Sequence, residues 1–260
     1  MQEFTPVETL LRRDRRLIGG ALAVAVIVCW AWIVPMAVDM YGRMDGASAW
    51  MMTDRWDGRH LVLLFAMWAV MMAGMMLPSA APALLIYAAV IRRSPAGAAV
   101  NAHVNAFAAG YLLAWTLFSL AATVLQRQLA HAGWLSPMME TEDRRLGGAL
   151  LLAAGLYQFT PFKRACLSYC RSPAEFLTGH WRPGPAGGFR LGWLHGLYCL
   201  GCCWALMLLL FAGGVMNLWW IGGLTVFVLL EKAAPFGDRG GRWASLPLIA
   251  LGLWLLRGGT

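Results

Sequence analysis

Charge is what this sequence has least of. Only 13% of its 260 residues are Asp, Glu, Lys or Arg, against 60% hydrophobic and a mean hydropathy of +0.59. Such a balance excludes an ordinary water-soluble globule. Familiar catalytic signatures are missing too: there is no GxSxG, no GxxxxGK[ST], no GxGxxG after a strand and no CxxCH. The chain is therefore not expected to be an enzyme. It has no evident repeat of 20–50 residues and no low-complexity tract. The formal net charge of +8 is not gathered into one patch, which argues against a nucleic-acid partner. Six cysteines lie mostly in or beside apolar stretches, so they do not form a secreted disulfide framework.

The apolar residues come in blocks. A membrane-spanning helix needs roughly 20 mainly apolar residues, and this length recurs along the chain. Arg12, Arg13, Arg15 and Arg16 precede an apolar run too long for a signal-peptide core and without a small-residue cleavage site, so the run reads as a retained span. Seven spans are expected, at about Leu17–Val38, Leu61–Ile91, Ala98–Leu125, Leu146–Phe159, Leu191–Val215, Leu218–Leu230 and Trp243–Leu256. From Leu191 to Glu231 a single helix would reach about 60 Å, so it must fold back, and Gly213, Gly214 and Asn217 supply a turn. Pro78 and Pro82 predict a kink or break in the second span. With the N-terminus inside, 14 of the 21 Lys and Arg fall on inner segments and 7 on outer ones, as the positive-inside rule requires. The expected architecture is an all-α polytopic bundle, a single integral membrane domain over 1–260, with 161–190 as a basic cytoplasmic loop.

Sulfur is the conspicuous donor. In the fifth span, His195, Cys199 and Cys202 follow i, i+4, i+7 spacing, with Cys203 on an adjacent face. One helix stripe thus offers an imidazole and two or three thiols, ligands suited to Cu(I) or Zn(II). An imidazole within a span is expected to be functional. Small buried cysteines and a Gly192/Gly196 packing face are the plainer explanation. The second span carries Met67, Met71 and Met75 at i, i+4, i+8, with Met72 and Met76 alongside. Counted from the span ends, Met71 to Met76 and Cys199 to Cys203 all lie roughly 12–22 Å deep, so the two sets are expected to face each other near the midplane. After the fourth span, Cys166 and Cys170 sit at i, i+4 among Lys163, Arg164 and Arg171, basic neighbours expected to favour thiolates in a cytoplasmic exchange site.

Met36, Met40, Met44, Met51, Met52, Met138, Met139 and Met216 fall toward the outer face, and the cysteines other than Cys29 fall at the midplane or inner face. Thioethers form no disulfides, which suits an oxidising exterior. His60, His131 and His180 read as surface residues, and His103 as a possible site member.

Three motifs carry a resemblance: Met67-Trp68-x2-Met71-Met72-x2-Met75-Met76-Leu77-Pro78-Ser79; Tyr157-Gln158-x-Thr160-Pro161-x-Lys163-x2-Cys166-Leu167-x2-Cys170-Arg171-Ser172-Pro173; and Cys199-x2-Cys202-Cys203-Trp204. Across roughly Leu61 to Lys232 the chain resembles the bacterial family of predicted metal-binding integral membrane proteins, some linked to copper delivery for tyrosinase-type oxidases. The resemblance implies a multi-pass bacterial inner-membrane protein that handles copper as Cu(I), with a copper-enzyme client or a soluble copper chaperone as partner beside the lipid bilayer. Two other classes remain at this point: a thiol–disulfide relay using Cys199, Cys202, Cys166 and Cys170, and an assembly scaffold whose sulfur residues only pack.

Overall fold

The computed structural model describes residues 6–42, 57–136, 139–234 and 237–258. In chain order the helices are α1 (Pro6–Met40), α2 (Gly58–Arg92), a 3-10 turn (Pro95–Ala99), α3 (Val100–His131), α4 (Arg144–Tyr157), α5 (Pro161–Arg171), α6 (Pro173–His180), α7 (Gly184–Leu208), α8 (Leu210–Gly213), α9 (Leu218–Ala233) and α10 (Gly237–Leu256). All seven expected spans are helical. Among the described residues, four stretches are long and apolar enough to cross a membrane: Arg13–Met40, Gly58–Arg92, Pro95–His131 and Gly184–Gly213. The other three are shorter, α4 having 14 residues, α9 16 and α10 20.

Local chemistry explains the helix ends. Asp57 starts α2 by accepting from the His60 amide at 2.8 Å, and Asp143 starts α4 by accepting from the amides of Arg145 and Leu146. Thr160 caps α5, with Pro161 in the first turn where its missing N–H is no loss. The foldback lies where expected. Gly214 adopts φ 91°, a conformation that favours glycine, and Asn217 then caps α9 through the amides of Trp219 and Trp220.

Of the kink or break expected at Pro78 and Pro82, the break is absent, since both prolines lie inside one continuous α2. The segment 161–190 is not an open loop, because α5, α6 and the start of α7 fill most of it. The three prolines of that segment's helices, Pro161, Pro173 and Pro185, stand in first turns, so they initiate helix rather than interrupt it. Met44, Met51, Met52 and Met138 lie outside the described residues.

Helix α3 packs against both α2 and α7. Its seam with α7 is glycine-lined: a Cβ on Gly192 would fall 1.9 Å from the Phe107 carbonyl oxygen, and one on Gly110 2.1 Å from that of Phe189. Backbones this close leave no room for a side chain, the small-residue packing of apolar bundles. Helix α1 lies along α2, where Arg92 forms a two-pronged ion pair with Asp14.

The α3–α7 seam generates a stability prediction. Gly192→Val should cost about 3 kcal/mol or more through overpacking, whereas Gly222→Ala, with nothing within 4 Å of the added Cβ, should be tolerated. Thermal unfolding of the detergent-solubilised protein measures both.

Candidate metal centre

The α3–α7 seam brings the sulfur stripe of α7 against Tyr111 of α3. Cys199, Cys202 and Cys203 are all buried. Cys199 is the hub: its sulfur lies 3.1 Å from the Tyr111 hydroxyl and accepts from Lys232 Nζ at 2.9 Å. Cys170, Cys202 and Cys203 stand close enough to interact electrostatically with it. The Cys202 and Cys203 thiols reach back to the Cys199 carbonyl oxygen, each at 3.0 Å. Four thiols from two helices, α5 and α7, thus meet one ammonium from α9.

Helix α2 joins this centre through its backbone and Ser79. The Tyr111 hydroxyl donates to the Met76 carbonyl at 3.0 Å, and Lys232 Nζ donates to Ser79 Oγ at 3.1 Å. The side chains of Met67, Met71, Met72, Met75 and Met76 are all fully buried. Because α3 packs between α2 and α7, Tyr111 and Lys232 bridge the methionine helix to the cysteine helix.

His195 is 2% exposed and ringed by Phe107, Tyr111 and Phe176, with centroids at 6.0, 5.8 and 5.2 Å. Its Nδ1 has no hydrogen-bond partner. A buried polar atom without a partner is unfavourable by about 1–3 kcal/mol, so it marks a place where a ligand would be welcome.

The second cysteine pair is not where its sequence context put it. Cys166 is buried, with its sulfur against the α7 backbone: a Cβ on Gly201 would lie 2.6 Å from Cys166 Sγ. Burial pushes the Cys166 thiol up, with the nearby Cys202 adding to the effect, so the basic neighbours do not make it an exposed thiolate. Cys170 is half-buried and stands close enough to the Cys199 and Cys202 thiols to interact with them electrostatically, at the edge of the central cluster. Of the basic residues credited with activating the pair, Arg171 instead donates to the carbonyls of Glu231 and Ala234 at 3.0 and 2.9 Å, capping the end of α9. Lys163 is buried against Glu231 at 2.7 Å and also donates to Gln158.

Lys232, Tyr111 and Ser79 escaped the sequence reading, but one signal was available. Lys163 and Lys232 are the chain's only two lysines among 21 basic residues, and both are buried. Of the histidines, His60, in the first turn of α2, is buried rather than at the surface. His131 is exposed and His180 half-buried. His103 is buried and donates Nδ1–H to the Ala99 carbonyl at 2.9 Å, a bond within the first turn of its own helix. Cys29 packs on Gly74 at the α1–α2 contact, apart from the other five cysteines.

Soft donors dominate this centre, and soft donors favour Cu(I) over hard cations. Among the described residues, no three His, Cys, Asp or Glu side chains stand in the arrangement of a preformed metal site. The Cys202 and Cys203 thiols are turned onto the Cys199 carbonyl, so holding a metal would require those side chains to rotate.

The fold and this donor set define an all-helical bundle of apolar helices around a buried, sulfur-rich centre. The chain belongs to the PpoB2 family, described as a copper chaperone, which matches over residues 65–255 and so takes in α2 from its first turns to nearly the end of α10. Comparisons with curated proteins and with solved structures give no match. A copper-related role follows from the family.

The buried Lys163–Glu231 pair yields a second prediction. Lys163→Met should destabilise by about 3–5 kcal/mol, because it strands a buried carboxylate. Adding Glu231→Gln should recover much of that loss, and chemical unfolding of both variants measures the difference.

Proposed function

We propose that this chain is a multi-pass inner-membrane protein that binds Cu(I) as cargo on the thiol cluster centred on Cys199 and delivers it to, or across, the membrane for a copper enzyme. The observation that carries this reading is the convergence of the buried Cys199, Cys202 and Cys203 with the half-buried Cys170 beside them. Thiolates bind Cu(I) tightly, and the unpartnered His195 Nδ1 is a further donor beside them. Met71, Met72, Met75 and Met76 supply weaker thioether donors, giving graded affinities along α2. Cys166 stands next to the cluster as a reserve thiol on α5.

The seven apolar helices fit a bundle with the N-terminus inside and the α5–α6 segment on the cytoplasmic side. Lys232 then serves as a resident cation: it occupies the sulfur cluster when no metal is bound, and Ser79 gives it a second acceptor when Cu(I) takes the sulfur. No catalysis by this chain is needed. A soluble copper chaperone is the natural donor or acceptor on the cytoplasmic side, and a copper oxidase the natural client.

The Cys199→Ser, Cys202→Ser double variant should fold and lose most Cu(I) affinity when titrated anaerobically against a competing chelator. Equal copper binding with equal affinity in variant and wild type would reduce the cluster to packing. Because ligating thiols must lose their protons, Cu(I) uptake should release protons and weaken as pH falls. Reporter fusions within 172–183 should be read out on the cytoplasmic side, and an external readout would reverse the orientation.

A further inference from the structure

Cys199 lies deep in the bundle, so copper must reach it through something nearer the surface. The half-buried histidine at the end of α6 meets the requirements. Its Nδ1 lies 3.1 Å from the Phe176 carbonyl. A carbonyl oxygen only accepts, so Nδ1 carries the hydrogen and Nε2 keeps its lone pair. That is the tautomer fixing found in metal-bound histidines, whose second ring nitrogen donates to a backbone carbonyl or carboxylate. The His180 ring stacks on Phe176 at 5.1 Å, and His195 packs against the same phenyl ring at 5.2 Å. His180 also touches Tyr198, which lies less than one helical turn beyond His195 on α7 and stacks on Tyr169 of α5. One phenyl ring, fully buried, is thus flanked by two imidazoles, one half-exposed and one deep with an open nitrogen.

We propose that His180 is the loading ligand through which Cu(I) enters, passing by Phe176 to His195 and from there to the Cys199 cluster. The proposal rests on the Cu(I) reading given above and adds the route. In the first exchange, the bond from Cu(I) to His180 Nε2 breaks as a bond to His195 Nδ1 forms, with His195 as its Nε2–H tautomer. The metal keeps its valence, and neither imidazole gains or loses a proton. Transfer onward to the thiols frees thiol protons, as in binding itself. Phe176 carries no donor atom, so it borders the route without holding the metal and keeps water from the deeper site.

The test uses the full chain in detergent, loaded anaerobically from the Cu(I)–bicinchoninate complex, with rate and final occupancy both recorded. His180→Phe preserves a stacking ring and removes the donor nitrogen. It should slow loading several-fold while leaving final stoichiometry and affinity at wild-type values. Added imidazole should restore the rate of His180→Ala, which no purely structural role would allow. His131→Ala, an exposed histidine on another helix, should load like wild type. Loading at the wild-type rate in both His180 variants would overturn the proposal, as would a loss of affinity as large as that of Cys199→Ser. Wild-type protein that takes up no Cu(I) would instead overturn the functional reading itself, and the route with it.

Discussion

A lysine ammonium deep in an apolar bundle has to be answered by its surroundings, and much of the structure around Lys232 is that answer. Bringing such a group out of water is unfavourable by several kcal/mol unless donors and acceptors are arranged around it. Here the acceptors are the Cys199 sulfur and Ser79 Oγ, on two different helices. Its neighbour Glu231 is matched separately by Lys163, which also donates to Gln158. Two adjacent residues of α9 therefore hold three other helices: α2, α5 and α7. The short α9, with Lys232 near its C-terminal end, is tied into the bundle by charge rather than by length.

Glycine makes the second constraint. With Gly192 and Gly110 facing the backbone of the opposite helix, α3 and α7 approach closely enough for the Tyr111 hydroxyl to reach Cys199. A wider seam would separate that hydroxyl from the sulfur and would also loosen the aromatic ring around His195. The helix packing and the donor geometry thus have a common cause, and neither is adjustable alone.

The helices were legible because apolar runs and their capping residues state helix position directly: Asp57, Asp143, Thr160 and Asn217 each stand where a helix begins. The foldback at Gly214 was legible for the same reason. The sulfur stripe of α7 was visible in spacing alone, since His195, Cys199 and Cys202 lie on one face whatever surrounds them. What spacing along one helix cannot give is the partner from another. Cys170 and Lys232 are separated from Cys199 by 29 and 33 positions of chain, and only the packing of α5 and α9 against α7 unites them. The basic residues around Cys166 misled for a physical reason: charge near a thiol matters only where water or burial leaves it free to act. Here Lys163 is already neutralised by Glu231, and Arg171 is committed to α9 carbonyls. Arginine-rich loops hid the two lysines, which differ from the arginines whose side chains are described in being buried.

Helix α5 is anchored at both ends to the same stretch of α9, by Lys163 at its start and Arg171 at its finish, and between those anchors it carries Cys166 and Cys170. Glu231, which takes the first anchor, adjoins the lysine that holds Cys199. Mechanically, this makes a closed linkage with few independent joints. A push on α5 from outside is transmitted to α9, and a shift of α9 moves the cation over the sulfurs. Thiol spacing and ion-pair distance therefore change together, as one coordinate of motion.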